Sequence, residues 1–444
     1  MRNLLLIFSI LFLTACNAGQ NPSAPESDSN AGSNEAPAPD LAAQPVSAAS
    51  ERSTTDGPAG SAEPNARSPE EDRSPESDYA PAFEQQTRAP MPAESDSWQV
   101  ETVAEGLEHP WALDFLPDGG MLVTERPGRL RLVGADGEIS TPIDGVPEVD
   151  NRKQGGLLDV ALAPDFESSR MIFLSFSEPH EDGTTNTAVA RARLSDDADA
   201  LEDVTVIFSQ YPSVESTGHY GSRIVFQDKN TIWVTLGDRQ GDPVRKNAQD
   251  PTNLIGTVAR IRTDGSVPDD NPFAGHEDNA PEIWSYGHRN IQAADVHPET
   301  GELWTIEHGP RGGDELNQPE AGKNYGWPTI SYGIEYRGGA VYEGKTSQEG
   351  MEQPVYYWDP VIAPSGMTFY TGDAFPEWQN DLFVGGLRTA RVSRLVLEDG
   401  RVAAEEWLDI GHRVRDVVQG PDGFLYLVTD EPNGLVMRIV PAKD

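Results

Sequence analysis

Six times along the chain an apolar stretch runs into a turn rich in Pro, Asp and Gly, and a second apolar stretch follows. The segments are LDFLPDGGMLVTE from Leu113, VALAPDFESSRMIFLSF from Val160, IVFQDKNTIWVTLGD from Ile224, ADVHPETGELWTIEH from Ala294, MTFYTGDAFPEWQNDLFVGGL from Met367 and VVQGPDGFLYLVTD from Val417. Short apolar runs bounded by turn residues read as paired strands. Their starts lie 47, 64, 70, 73 and 50 residues apart, room for four short strands per unit with loops of unequal length. Six such units predict an all-β protein, a six-bladed β-propeller of four-stranded antiparallel blades in which radial repetition protects the sheet edges. A β-sandwich of repeated hairpins is the competing arrangement. No long window carries an i, i+3, i+4, i+7 apolar stripe, so helix is expected to be scarce. The stretch from Trp98 to Ala104 reads as one more strand, placed to close the last blade.

Upstream of that strand the pattern is different. Residues 1–15 begin with a basic residue, Arg2, followed by an apolar run from Leu4 to Leu13 that is too short to span a bilayer and reads as the core of a signal peptide. Leu13-Thr14-Ala15-Cys16 resembles a lipobox, which implies cleavage before Cys16 and lipidation of that residue. Asn17 follows, whereas the sorting pattern for inner-membrane retention has Asp there, so the expectation is an exported bacterial lipoprotein on the periplasmic side, anchored in the outer membrane. Residues 16–97 are dominated by Pro, Ala, Ser, Glu and Asp, with Tyr79 and Phe83 the only aromatics before Trp98. Such a composition cannot bury enough apolar surface to offset its ordering entropy and predicts a disordered tether. The propeller is therefore assigned to residues 98–444.

Charge excludes one class of partner. The 444 residues carry 73 acidic and 33 basic side chains, a net of −40, and a nucleic-acid-binding protein needs a basic face instead. The single cysteine excludes an internal disulfide, and no C-x-x-C-H haem motif is present, so any electrons would have to leave to a separate acceptor.

Against that acidic background a few segments beside the inner strands carry more chemistry than turns require. Gln154 precedes a Gly pair in QGGLLDVAL. In TGHYGSRIVF, His219 stands at the entry to the third repeat, and LGD at the end of the partner strand sets Asp238 across the hairpin, where a carboxylate can orient and support an imidazolium. Arg289 and Asn290 precede the fourth repeat in WSYGHRNIQ. The segment EHGPRGGDELNQPEAGKNYGWP offers Asp314, Glu315 and the carbonyls of a Gly- and Pro-shaped backbone, hard oxygen donors that suit Ca²⁺ better than Zn²⁺. Arg388 lies in GGLRTARVSRL. Arg413 and Arg415, at i and i+2 of an extended strand, point to one side. Arginines from three blades near one axis imply a polyanionic ligand. With no Gly-rich loop opening a helix for phosphate, carboxylates are preferred.

Taken together, QGGLLDVAL, TGHYGSR, LGD, GHRN, HGPRGGDELN, KNYGWP, a basic residue after GGL, and HRVRD resemble the soluble quinoprotein sugar dehydrogenases, in particular the aldose sugar dehydrogenase branch of the glucose/sorbosone dehydrogenase family. The match runs in order through most of residues 98–444. The resemblance implies a six-bladed propeller holding pyrroloquinoline quinone (PQQ), a tricarboxylate ortho-quinone, together with Ca²⁺. It implies that His219 is the general base for an aldose's anomeric hydroxyl, with Asp238 holding its tautomer, and that the carbon gives up hydride to yield a lactone. Gln154, Arg289, Asn290, Arg388, Arg413 and Arg415 would bind PQQ. The carbonyls of Gly309 and Pro310 would bind one Ca²⁺, and Glu315 with the Tyr325 carbonyl a second. The family's glucose dehydrogenases have Lys where Arg388 stands, and the long loops that shape their sugar pocket have no evident counterpart, which favours an open cleft for varied aldoses over a glucose pocket. Two other functions stay open: a calcium-dependent propeller lactonase or esterase, which needs carboxylate or Asn ligands from several blades, and a cofactor-free ligand-binding propeller.

Overall fold

The computed structural model describes residues 68–93 and 95–443. The signal segment, Cys16 and the tether up to residue 67 lie outside the described residues. Each repeat identified in the sequence supplies the inner two strands of one antiparallel sheet. The innermost strands are Pro110–Phe115, Leu157–Leu162, Gly221–Asp228, Ile291–Val296, Pro364–Phe369 and Val414–Gln419. Each touches the innermost strand on either side, so the six sheets close a ring. Five blades have four strands. The first has three, Pro110–Phe115, Met121–Glu125 and Arg129–Val133, followed by the single bridge Val133–Ile139. Pro142 and Pro147 in the segment that follows lack the N–H a fourth ladder would need. The last blade is completed by Trp98–Leu107 pairing with Gly434–Pro441, so the two ends of the propeller share one sheet.

Burial follows this radial plan. A separate apolar cluster fills each wedge between neighbouring blades: Trp111, Leu122, Leu158 and Leu174 between the first and second, for example, or Phe383, Val392, Leu425 and Leu427 between the fifth and sixth. Strands buried on both faces explain why many repeats read as continuous apolar runs, not as clean alternation.

Nearer the axis, a polar side chain bridges every blade junction. Asp416 Oδ2 accepts from Leu113 N (3.1 Å), Asp114 Oδ2 from Leu162 N (2.7 Å), Asp159 Oδ2 from Ile224 N (2.7 Å) and Asp295 Oδ2 from Phe369 N (2.9 Å). Arg223 Nε donates to Gln292 O (2.8 Å), and Arg415 Nη1 to Ser365 Oγ (3.2 Å), at the remaining two junctions. Asp114, Asp159, Arg223, Asp295 and Asp416 line an axial cavity of about 300 Å³. Burial raises the Asp114 carboxyl to about 7 and the Asp159 and Asp295 carboxyls to about 6.

The end of the expected tether is corrected by the structure. Residues 68–93 form a strap against the outer parts of the fourth and fifth blades. Asp359 accepts from Glu76 N (2.7 Å), Ser77 N (3.0 Å) and Ser77 Oγ (2.8 Å). Gln86 is fully buried: its side chain donates to Pro354 O (2.9 Å), and its carbonyl accepts from Tyr357 N (2.8 Å). Glu70 accepts from Trp407 N (2.8 Å), and Ala89 enters the apolar wedge between the blades. The composition argument failed here because buried polar and backbone hydrogen bonds order this segment, with little apolar area involved.

Candidate functional site

The inner strand Gly221–Asp228 and its neighbour Thr231–Leu236 pair antiparallel with Gly221 opposite Leu236. Extending that register by two residues on each side sets His219 opposite Asp238. Both are buried, and His219 Nδ1 lies 2.6 Å from Asp238 Oδ1. The close approach depends on Gly237, where a Cβ would fall 2.0 Å from the His219 carbonyl oxygen. His219 itself sits in the left-handed region at φ 50°. Arg239 holds its loop there, donating to Gly218 O (3.1 Å), Thr185 O (3.1 Å) and Ser216 O (2.7 Å) while lying 3.9 Å over the Tyr220 ring. Gln154 is exposed beside the dyad and accepts from His219 N (2.8 Å).

Burial lowers the His219 imidazole below its ordinary value, with the charges of Arg289 and Arg239 acting the same way against the pull of Asp238. Burial works to raise the Asp238 carboxyl, but His219, Arg289 and the Gln240 N–H outweigh it and hold it below the usual range. The pair is therefore a neutral imidazole beside a carboxylate. If Nδ1 carries the proton, which the Asp238 contact favours, Nε2 is left as an acceptor.

The arginines divide. Arg289 and Arg415 are buried and meet through His308 and Gln292: Arg289 Nη1 donates to His308 O (2.9 Å), His308 Nε2 lies 3.1 Å from Gln292 Oε1, and Arg415 Nη1 donates to that same oxygen (2.8 Å). Burial, with Arg289 and Arg415 on either side, drives the His308 imidazole far below its ordinary value, so it is neutral. Arg415 Nη2 pairs with Asp430 Oδ2 at 2.6 Å, and the half-exposed Arg413 reaches that oxygen at 3.3 Å, so the two do share a side. Arg413 also donates to Leu387 O (3.1 Å), beside Arg388. Arg388 is exposed, and its side chain makes no hydrogen bond or ion pair with any described residue. Asn290 is buried with Oδ1 accepting from Gly221 N (3.0 Å), which gives it a structural task at the base of the hairpin.

Gly309, Pro310 and Glu315 line one small cavity of about 10 Å³, together with Glu307, Arg289 and Trp327. Gly309 O accepts from Arg289 Nη1 at 2.6 Å, so a cation there would compete with that guanidinium. Burial and the neighbouring Glu307 push the Glu315 carboxyl well above its usual range. Tyr325 lies outside this cavity, its ring stacked 4.8 Å from His288, which in turn reaches Glu307 at 3.0 Å. The sequence reading assigned two cation sites; the structure brings three of the four named residues to a single cavity. Among the described residues no three Asp, Glu, His or Cys side chains form a ready-made cage, so a cation would rely on carbonyls as well.

Glucose/sorbosone dehydrogenases are described by a family model that matches residues 107–438, almost the whole propeller. The chain belongs to this family. Aldose sugar dehydrogenase YliI of Escherichia coli (strain K12) is 47% identical over 350 residues, spanning 77% of this chain and 92% of that one. Quinoprotein glucose dehydrogenase B of Acinetobacter calcoaceticus is 27% identical over 419 residues, spanning 76% and 86%. The apo-form crystal structure of soluble aldose sugar dehydrogenase from Escherichia coli superposes with a TM-score of 0.75 at 46% identity, covering 78% of this chain and 100% of that one. The PQQ-bound form of aldose sugar dehydrogenase from Streptomyces coelicolor gives 0.64 at 27% identity, covering 79% and 99%.

The donor set would fit the PQQ that the Streptomyces coelicolor relative holds. Arg289 Nε and Arg415 Nε are buried without a hydrogen-bond partner, and a carboxylate-bearing ligand would satisfy such donors. Glu307 and Glu315, side by side at the small cavity, would likewise suit a hard divalent cation. Sequence reasoning missed Gln292, His308 as a bridge, Asp430 and Trp327. The Arg415–Gln292 and Trp327–Asp238 contacts join different blades, and no local spacing encodes them. His308 meets Gln292 across the fourth blade's inner hairpin and Asp430 meets Arg415 across the sixth's, which the register that set His219 against Asp238 could have found.

Proposed function

We propose that this protein oxidises aldose sugars at the anomeric carbon, giving aldonolactones, with His219 as general base. The observation that carries the reading is the neutral His219 beside an ionised Asp238, with Arg289 next to it and Arg415 linked to Arg289 through His308 and Gln292, the Nε atoms of both arginines buried and unpartnered. His219 Nε2 takes the proton of the anomeric hydroxyl. Asp238 Oδ1, bonded to Nδ1, stabilises the imidazolium that results. PQQ, when bound, supplies an electrophilic quinone that accepts the hydride, and Ca²⁺ polarises it. Arg289 and Arg415 hold the cofactor's carboxylates, with Gln154, Asn290, Arg388 and Arg413 at the margins. Gly309 and Pro310 carbonyls with Glu315 are the cation donors, and Tyr325 the outlying one. The electrons pass to a separate acceptor, a quinone or cytochrome. Cys16 anchors the enzyme as an exported lipoprotein in the outer membrane.

The test is reconstitution. Purified apoprotein is given PQQ and Ca²⁺ and assayed for dye reduction with aldoses. Sugar-dependent reduction is expected, and His219→Gln should abolish it. Absence of reduction, or reduction that survives His219→Gln, rejects the reading. Ester or lactone hydrolysis with Ca²⁺ alone would point to a hydrolase instead.

A further inference from the structure

We infer that Trp327 is a positioning residue for the His219–Asp238 dyad, acting through the carboxylate oxygen that His219 does not use. The inference rests on the proposed role of that dyad. Asp238 is held at both oxygens. Oδ1 faces His219 Nδ1 (2.6 Å) and accepts from Gln240 N (2.8 Å), while Oδ2 accepts from Trp327 Nε1 at 2.7 Å. A carboxylate bonded at one oxygen can rotate about its last side-chain bond. Bonded at both, it keeps Oδ1 aimed at Nδ1, which fixes the imidazole with its other nitrogen free.

The indole is itself fixed. Trp327 is buried and packs against Ala248 and Val341. Its backbone N–H donates to Gly287 O (2.8 Å), and its carbonyl accepts from Gln249 Nε2 (2.8 Å). The Arg289 guanidinium lies 5.2 Å from its ring centroid, and Arg245 lies 5.9 Å away. One rigid side chain thus touches both the dyad and the arginine assigned to the cofactor. Burial alone does not demand the bond, because Trp233, Trp304 and Trp378 each keep a buried Nε1 without a partner. An indole donating to a buried carboxylate makes a charge-assisted bond, stronger than one to a neutral acceptor.

The decisive experiment uses the full chain. Trp327→Phe keeps an aromatic ring and deletes the donor. In the reconstituted enzyme it should lower kcat by about 10- to 100-fold with the sugar KM changed less than about threefold, the signature of a misaligned base. In an Asp238→Asn background the same change should cost less than about threefold, since Trp327 acts through the carboxylate. Equal losses in both backgrounds would show a merely structural role and overturn the inference, as would no loss in the native background. A second readout needs neither cofactor nor turnover. With ¹⁵N-indole-labelled tryptophan in the apoprotein, the Trp327 Nε1–H resonance should lie downfield of the other indoles and move upfield in Asp238→Asn. A resonance indifferent to Asp238→Asn overturns the inference, including where Trp327→Phe fails to fold. If the native enzyme shows no sugar oxidation, the functional reading falls, and the resonance still decides whether Trp327 holds Asp238.

Discussion

Arg223→Leu should destabilise the propeller by an amount that grows with pH. The guanidinium bridges Asp159 (2.9 Å) and Asp416 (2.8 Å), donates to Gln292 O (2.8 Å) and lies 4.3 Å over the Trp111 ring. Leucine leaves two buried carboxylates without their shared cation, and breaking a buried pair in this way costs about 3–5 kcal/mol. Both acids are already raised by burial, Asp159 to about 6. Losing Arg223 raises them further, and protonation becomes their escape. Relative to the native protein the deficit grows only above the native value, about 6 for Asp159, by about 1.4 kcal/mol per pH unit, hence close to nothing at pH 5 and about 3 kcal/mol at pH 8. The lost hydrogen bond to Gln292 O and the lost contact with the Trp111 ring add about 1–2 kcal/mol at any pH, so the expected loss is about 2 kcal/mol at pH 5 and about 4 at pH 8. The sign follows from linkage. A carboxyl raised in the folded state binds its proton more tightly there than in the unfolded chain, so stability falls as pH rises from 3.8 through the folded value. Urea unfolding followed by tryptophan fluorescence at both pH values measures the difference. Adding Asp159→Asn and Asp416→Asn to Arg223→Leu should remove most of the pH-dependent part. A deficit that is flat with pH, or a triple variant no better at pH 8, would refute this account of the axial acids.

Asp430→Asn should lower the urea midpoint at pH 7 by the equivalent of about 1–3 kcal/mol. Burial opposes the Asp430 charge, but Arg415, His109 and Arg413 hold its carboxyl well below 3.8, so its stabilisation is complete above that value and the deficit should shrink only as pH falls below it. Excising residues 68–93 should lower the thermal midpoint while leaving the far-ultraviolet strand signal intact, and limited proteolysis should then cut near Arg311, which loses its 2.6 Å bond to Glu76. In the reconstituted enzyme the acid limb of kcat/KM should fall below 6.5, because burial keeps His219 neutral to lower pH than a free imidazole; a limb at or above 6.5 would contradict that environment.

The hairpin that aligns His219 with Asp238 is legible because strand pairing is local: a turn between two apolar runs fixes the register, and the register fixes who faces whom. Closure of the ring by Trp98–Leu107 is legible for a different reason: its partner strand lies at the far end of the chain, but a ring of repeats needs its first and last strands to share a sheet. The strap is not, since Gln86 and Ser77 are ordered by partners some 270 residues away in sequence, including Pro354 and Asp359. Nor are the Arg415–Gln292 and Trp327–Asp238 contacts, which exist only once blades stand beside one another, whereas Asp430 faces Arg413 across the sixth blade's own inner hairpin, as Asp238 faces His219. Of the arginines, the spacing correctly put Arg413 and Arg415 on one side. It could not tell that Arg415 would be buried and Arg388 exposed, because burial at an axis depends on the neighbouring blades.

The net charge of −40 makes the distribution of buried arginine informative. Arg223 and Arg415 sit against carboxylates, but Arg239 and Arg289 have no carboxylate in ion-pair contact among the described residues. They are held by carbonyls, hydroxyls and, for Arg239, the Tyr220 ring. Burial lowers Arg239 to about 10, so it is still cationic at neutral pH. A strongly acidic chain had ample carboxylates with which to pair these two guanidiniums. Both instead flank His219, where their field favours the uncharged imidazole and the ionised Asp238 together. Uncompensated buried charge is costly, and an anionic ligand entering between Arg289 and Arg415 would relieve it. One local reversal of sign thus serves two ends: it sets the protonation state a base requires and leaves a cationic floor that only an anion completes.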